Sequence, residues 1–329
     1  MQRCMRRTLL TTALIALAAT VAFALFTDRR ADLREAAIEA RYPPAGQIVR
    51  VDGRDVHVIV KGEGPDLVLI HGAGSNARDM EHALADKLAE TYRLFIVDRP
   101  GHGWTQRNSA LSGPFNARSE SPIEQARLLS EAVQELGAEN PIVMGHSFGG
   151  AVAMAWALEQ PHAATVIVSG VTLPWPGDVN ITYRILGTKI GGALVAPLVS
   201  AFISEGYVRS AADSTFTPQP APTNYSENAA IPLTVRIATL RANNQQVNTL
   251  RPLVVEQSQH YDRITTPIEI VHGTADKTVF AEIHAEPLAN RMDNVVFTPL
   301  DGIGHMPHYV VPGDVIAAID RAAARAGLR

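Results

Sequence analysis

The sequence predicts an α/β chain with a doubly wound, mostly parallel sheet. Three observations carry that prediction. Short apolar strand-like runs alternate with helix-period segments from residue 62 onward. A hairpin signal precedes them, with residues 48–51 and 56–60 flanking Asp52-Gly53. The alternation then lapses between Leu173 and His260, a stretch too long to be structureless inside a compact domain, so it should have helical structure of its own.

The elements follow in order. Strands are expected at 67–70, 94–97, 142–144, 165–168, 268–271 and 295–298, each a run apolar enough to be buried on both faces. Helices are expected at 76–90, 122–136, 148–160, 280–291 and 312–324. No internal repeat is visible. The insertion contains Pro174-Trp175-Pro176, an apolar segment 191–203 and a proline-rich run 217–222; Pro197 and shortness exclude 191–203 as a membrane span.

The N-terminus has its own pattern. Arg3, Arg6 and Arg7 precede an apolar stretch, residues 9–26, interrupted only by threonines. Its length lies between a secretory apolar core of about 7–15 residues and a membrane span of about 20. Two expectations stay open: an uncleaved membrane anchor, or a signal sequence cleaved near Ala22-Phe23-Ala24 and a secreted or periplasmic product. Arg29, Arg30 and Arg34 follow the stretch, so charge does not fix its orientation. Residues 28–42 read as a charged helical linker ended by Pro43-Pro44. The expected organisation is therefore signal or anchor 1–27, linker 28–45, core 46–172 plus 262–329, and insertion 173–261.

Over 329 residues the chain is 46% apolar and 19% charged, with net charge −4, which offers no electrostatic footprint for nucleic acid. The one cysteine, Cys4, precludes an intramolecular disulfide and any cysteine-based zinc site.

Chemistry concentrates in a few motifs. Gly145-His146-Ser147-Phe148-Gly149 lies between an apolar strand and an apolar helix, the context of a nucleophile elbow. Alone the pattern is weak, since residue usage would produce it by chance in roughly one chain in ten of this length. Its companions strengthen it. Thr274-Ala275-Asp276 and Asp301-Gly302-Ile303-Gly304-His305 each follow the end of a strand, giving the chain order Ser147, Asp276, His305. His71-Gly72-Ala73-Gly74 follows strand 67–70, and Asp98-Arg99-Pro100-Gly101-His102-Gly103 follows strand 94–97.

These motifs resemble the α/β-hydrolase superfamily, in its cap-bearing serine esterase-like branch, over residues 46–329. The resemblance implies Ser147 as nucleophile, His305 as base, Asp276 as its orienting acid, and the backbone N–H groups of Ala73 and Phe148 as an oxyanion hole. It implies that 173–261 is a cap over the serine, that no cofactor or metal is needed, and that the partner is a small, possibly lipophilic ester. Dehalogenases and epoxide hydrolases of this fold carry aspartate at the elbow, so Ser147 points away from those activities. C–C bond hydrolysis or perhydrolysis on the same three residues, and a non-catalytic binding protein, are the alternatives.

Rivals exist at two positions. Asp301 precedes His305 by four residues, but the strand-end position favours Asp276. His308 could pair with His305 on a metal, but no carboxylate-rich site accompanies them. His71, Trp104, His146 and Trp175 are candidate pocket residues, with ordinary packing the competing role for each; Tyr183 is placed with Trp175 on the same basis.

Overall fold

The computed structural model describes residues 2–329, with side chains from Met5 onward, so Arg3 and Cys4 of the basic N-terminal segment lie outside the described side chains. All eight expected strands form, as β1 (Gln47–Val51), β2 (Arg54–Lys61), β3 (Asp66–Ile70), β4 (Arg93–Val97), β5 (Ile142–His146), β6 (Ala164–Val168), β7 (Ile268–Gly273) and β8 (Val295–Leu300). They make one sheet in the order β1-β2-β4-β3-β5-β6-β7-β8. β1–β2 and β2–β4 are antiparallel and every other pair is parallel. The hairpin turns on Asp52 (φ 49°) and Gly53 (φ 73°), two consecutive left-handed residues that match the twist of the flanking strands. β3, β5 and β6 are buried along their whole length, which is why they read as continuous apolar runs rather than alternating ones.

Helices cover both faces. α1 (Gln2–Arg41) is a single helix of 40 residues, about 60 Å long at 1.5 Å per residue. α2 (residues 77–88) and α3 (Pro122–Glu135) follow, the latter opened by a Ser121–Glu124 capping box with proline in its first turn. α4 (Phe148–Glu159) is apolar all round and buried at ten positions between sheet and neighbours. The sheet divides the core into two apolar clusters, one around α3, α4 and β5, the other around α2 and the C-terminal helix.

Between β6 and β7 the chain is helical, as expected: α5 (Ile181–Leu186), α6 (residues 191–202), α7 (Glu205–Ser214) and the long α8 (Ile237–Ser258). These lie beyond the carboxyl ends of the strands. α9 covers residues 281–291 and α10 is Pro312–Arg325. The single helix expected at 280–291 breaks after His284, because Pro287 lacks the N–H that would continue the ladder.

The charged segment read as a helical linker is helical as far as Arg41. α1 continues to Arg41 and packs on the cap. Arg30 Nε donates to Ala201 O at 2.8 Å, Arg34 to Ser200 O at 2.9 Å, and the Glu35 carboxylate accepts from Ile237 N at 2.6 Å. Ile38 and Tyr42 share a buried cluster with Val208, Phe216 and Leu233 of the cap. The contacting residues Arg30, Arg34 and Ile38 recur every four positions, one face of a helix.

Candidate active site

Ser147 joins β5 to α4 with φ 53° and ψ −118°, a strained conformation for a residue with a side chain. The flanking glycines are a steric requirement. A Cβ on Gly145 would lie 2.1 Å from Gly149 O, and one on Gly149 would lie 2.5 Å from Ile70 O. The turn therefore closes only with glycine at both places, and it lifts the serine hydroxyl above the sheet.

Ser147 Oγ lies 3.0 Å from His305 Nε2, and His305 Nδ1 lies 2.7 Å from Asp276 Oδ2. A proton on Nδ1, donated to Asp276, leaves Nε2 free to accept from the hydroxyl. Asp276 is buried and its other oxygen accepts from Thr278 N at 2.8 Å and Val279 N at 3.0 Å. Burial alone would raise its pKa. The bonds from His272, His305 and the Val279 amide outweigh that and hold the carboxyl well below the usual range. Asp301, the rival, is exposed and meets Thr274 Oγ1 at 3.3 Å instead.

The loop after β3 passes directly over the serine: a Cβ on Gly72 would come 3.0 Å from Ser147 Cβ. Ala73 and Phe148 line the same cavity as Ser147, and Phe148, first in its helix, has an N–H with no intrahelical acceptor. The cavity is about 550 Å³ and mostly apolar, walled by Val171, Trp175, Tyr183, Val247, Leu250, Phe280 and Ile283.

Of the four candidate pocket residues, only Trp175 lines this cavity. His71 is fully buried: its Nε2 accepts from Arg99 N at 3.0 Å and its Nδ1 donates to Gly72 O at 2.8 Å, so it pins the loop over the serine. His146 lies behind the site and meets His305 O at 2.9 Å. Trp104 faces the N-terminal helix, donating to Tyr42 O at 3.1 Å. Strand-end position puts His71 beside Gly72-Ala73 and His146 beside Ser147 in the chain, but their rings turn into the core. Asp98 fixes its own loop, accepting from Ala77 N at 2.7 Å, Trp104 N at 2.9 Å and His57 Nδ1 at 2.7 Å.

Sequence reasoning missed several positioning residues. Arg99 is fully buried; it donates to His71 O (3.1 Å), Gly72 O (3.0 Å), Gln125 (3.1 Å) and Gln246 (2.8 Å), and lies over the Phe148 ring at 4.2 Å. Burial lowers its pKa to about 9, which leaves it charged near neutrality. The cap adds Asn243, accepting from Gly74 N at 2.7 Å, and Gln219, which accepts from Gly304 N at 2.9 Å and donates to Gly302 O at 2.8 Å. Four consecutive amides, Asn243-Asn244-Gln245-Gln246, were the available signal for a polar seam inside a helix. We expect Arg99→Met to cost about 2–5 kcal/mol, because four buried acceptors lose their donor. Denaturant unfolding tests this, and a change within about 0.5 kcal/mol, the range of a neutral surface substitution, would contradict it.

Burial also depresses the pKa of His71, His102 and His308, and pushes His146 down to about 3. The folded chain refuses protons that the unfolded chain accepts below about pH 6.5. Stability should therefore fall with pH from that point, by up to about 1.4 kcal/mol per pH unit for each such group. Thermal unfolding followed from pH 7 to pH 5 checks it; an unchanged transition would contradict it.

A mostly parallel sheet in this strand order, with the serine at a strand-to-helix turn and helices inserted after β6, defines an α/β-hydrolase fold. An alpha/beta hydrolase fold protein from Burkholderia ambifaria superposes with TM-score 0.68 at 21% identity, covering 83% of this chain and 96% of that one. The sequence profile of the Alpha/beta hydrolase family matches residues 67–319. The chain belongs to that family. An uncharacterised protein of Mycobacterium bovis is 28% identical over 306 residues, 90% of this chain and 85% of its own length. A pimeloyl-[acyl-carrier protein] methyl ester esterase of Aeromonas salmonicida is 33% identical over 123 residues, 35% of this chain and 44% of its own length.

Proposed function

We propose that this protein is a serine hydrolase that cleaves a lipophilic carboxylic ester through an acyl-enzyme on Ser147. The observation that carries the reading is the hydrogen-bonded series Ser147–His305–Asp276 at the floor of an apolar cavity. His305 Nε2 takes the hydroxyl proton as Oγ attacks the ester carbonyl. The resulting oxyanion lies against the Ala73 and Phe148 amides. His305 then gives the proton to the departing alkoxide, and the carbonyl re-forms as a serine ester. Water, deprotonated by His305, attacks that ester, and Ser147 leaves carrying the proton back. Asp276 stays ionised and stabilises the imidazolium in both halves.

The Aeromonas relative is named for the same bond type, which supports an ester over the C–C bond and perhydrolase alternatives. The apolar, aromatic cavity wall supports a lipophilic acyl or alcohol group. The N-terminal helix exposes Leu9, Leu14, Leu17, Phe23 and Phe26, and it carries straight on into the turns that grip the cap. That continuity favours a retained anchor over a cleaved signal. Full-length protein from membranes should retain its N-terminus by intact mass; a mature chain beginning near Leu25 would refute retention.

A panel of p-nitrophenyl esters of graded chain length tests the substrate class. Medium or long acyl chains should give the highest kcat/KM, and a preference for acetate would contradict the lipophilic reading.

A further inference from the structure

The cap carries an apolar ridge that stays largely exposed among the described residues. Ile190, Leu194, Leu198 and Phe202 recur every four residues along α6 and its leading turn, and all are exposed, Ile190 by 69% and Leu194 by 61%. Ile185 on α5 adds to it, exposed by 47%. Apolar side chains so grouped on one face mark an interaction surface. α6 covers only residues 191–202, about 18 Å at 1.5 Å per residue, too short to cross a bilayer by itself, and the chain bends 104° into α7.

The position of the ridge identifies its occupant. Phe202, at its end, stacks on Phe23 of α1 with centroids 6.4 Å apart and planes 2° from parallel, and meets Phe26 at 6.3 Å. Phe23 and Phe26 close the apolar stretch of the N-terminal helix, so the ridge begins where that helix would leave a bilayer. Cations gather at the same level: Arg30 lies over the Phe202 ring at 5.2 Å, and a cleft of about 620 Å³ between α1 and the cap combines Phe26 and Phe202 with Arg29, Arg30 and Arg34. Arginines beside aromatic and aliphatic side chains suit the headgroup layer, where phosphates and acyl chains meet.

We propose that the ridge Ile185–Ile190–Leu194–Leu198–Phe202 lies on the lipid leaflet that α1 enters, so that the cavity above Ser147 opens beside that leaflet. α5 separates the two surfaces by a single helix. It turns Ile185 outward, while its Tyr183 and the preceding Asp178, Val179 and Asn180 line the cavity. A lipophilic ester dissolved in the leaflet then reaches the serine across one helix. This delivery step rests on the serine hydrolase reading; the docking does not.

Full-length Ile190→Cys and Leu194→Cys proteins, each in a Cys4→Ser background, test the docking when labelled with NBD and reconstituted into phosphatidylcholine–phosphatidylglycerol vesicles. Glu135→Cys, at the far end of α3, is the control. Doxyl groups on the lipid chains should quench both ridge probes and spare the control, while aqueous iodide should do the reverse. Ridge probes as open to iodide as the control would overturn the proposal. Ridge probes protected from iodide but untouched by doxyl lipid would overturn it too, and would assign the ridge to a second copy of the chain.

The triple change Ile185→Glu, Ile190→Glu and Leu194→Glu tests delivery separately. Hydrolysis of a water-soluble short-chain ester should be unchanged, while an ester held in vesicles should be cleaved about tenfold more slowly as the ridge loses its apolar contact. Equal rates on the vesicle ester would overturn delivery. A wild-type protein inert to both esters would refute the hydrolase reading, with the probe depths still deciding the docking.

Discussion

Ser147→Ala should lower kcat by about 10⁴-fold or more and leave the fold intact. The whole proposed reaction passes through the Oγ that lies 3.0 Å from His305 Nε2, and the elbow is held by glycine contacts that the substitution does not touch. Alanine also fits the β5–α4 turn no worse than serine, since neither relieves the positive φ at that position. Steady-state rates on the preferred ester, beside circular dichroism and a thermal melt, check this. More than a few per cent of wild-type activity in a clean preparation would contradict it.

Asp276→Asn should be nearly as damaging, at about 10⁴-fold in kcat. The carboxylate at 2.7 Å holds the proton on His305 Nδ1. An amide there offers an N–H where an acceptor is needed, so it favours the tautomer with Nε2 protonated, which cannot take the serine proton. Asp301→Asn should change kcat by less than about threefold, because that side chain only bridges Thr274 at the surface. The opposite pattern would transfer the acid's role to Asp301. Asp276 itself stays ionised well into acid, because its hydrogen bonds hold its pKa down. Its contribution to stability is therefore present above about pH 4 and lost only as pH falls through the lowered value.

The sequence made the sheet and the serine turn readable for a physical reason. Parallel strands buried on both faces must be apolar throughout, so β3, β5 and β6 stand out as runs. The elbow is readable because backbone approaches of 2.1–2.5 Å to a would-be Cβ leave glycine no substitute at positions 145 and 149. Side-chain direction was not readable. His71 and His146 adjoin the site in sequence, yet each ring is turned inward by a backbone hydrogen bond that depends on a distant loop. Trp104 is drawn away by Tyr42, 62 residues earlier. Likewise the acceptors of Arg99 come from the loop after β3, from α3 and from α8, which lie far apart in the chain.

The N-terminal helix shows the same limit. The charges of residues 28–42 read only as those of a helical linker. Their partners, Ala201 O, Ser200 O and Ile237 N, are backbone groups of the cap, and backbone acceptors and donors leave no trace in side-chain patterning. The contacts join the apolar N-terminal segment to the cap through one continuous helix.

Fluorophosphonate labelling of the full-length protein in detergent, wild type beside Ser147→Ala and read by intact mass, tests the central claim most directly. The account predicts one adduct on the wild-type chain and none on the mutant, with the modified peptide containing Ser147. A folded wild-type protein that takes no adduct, or a mutant that takes the same one, would contradict it.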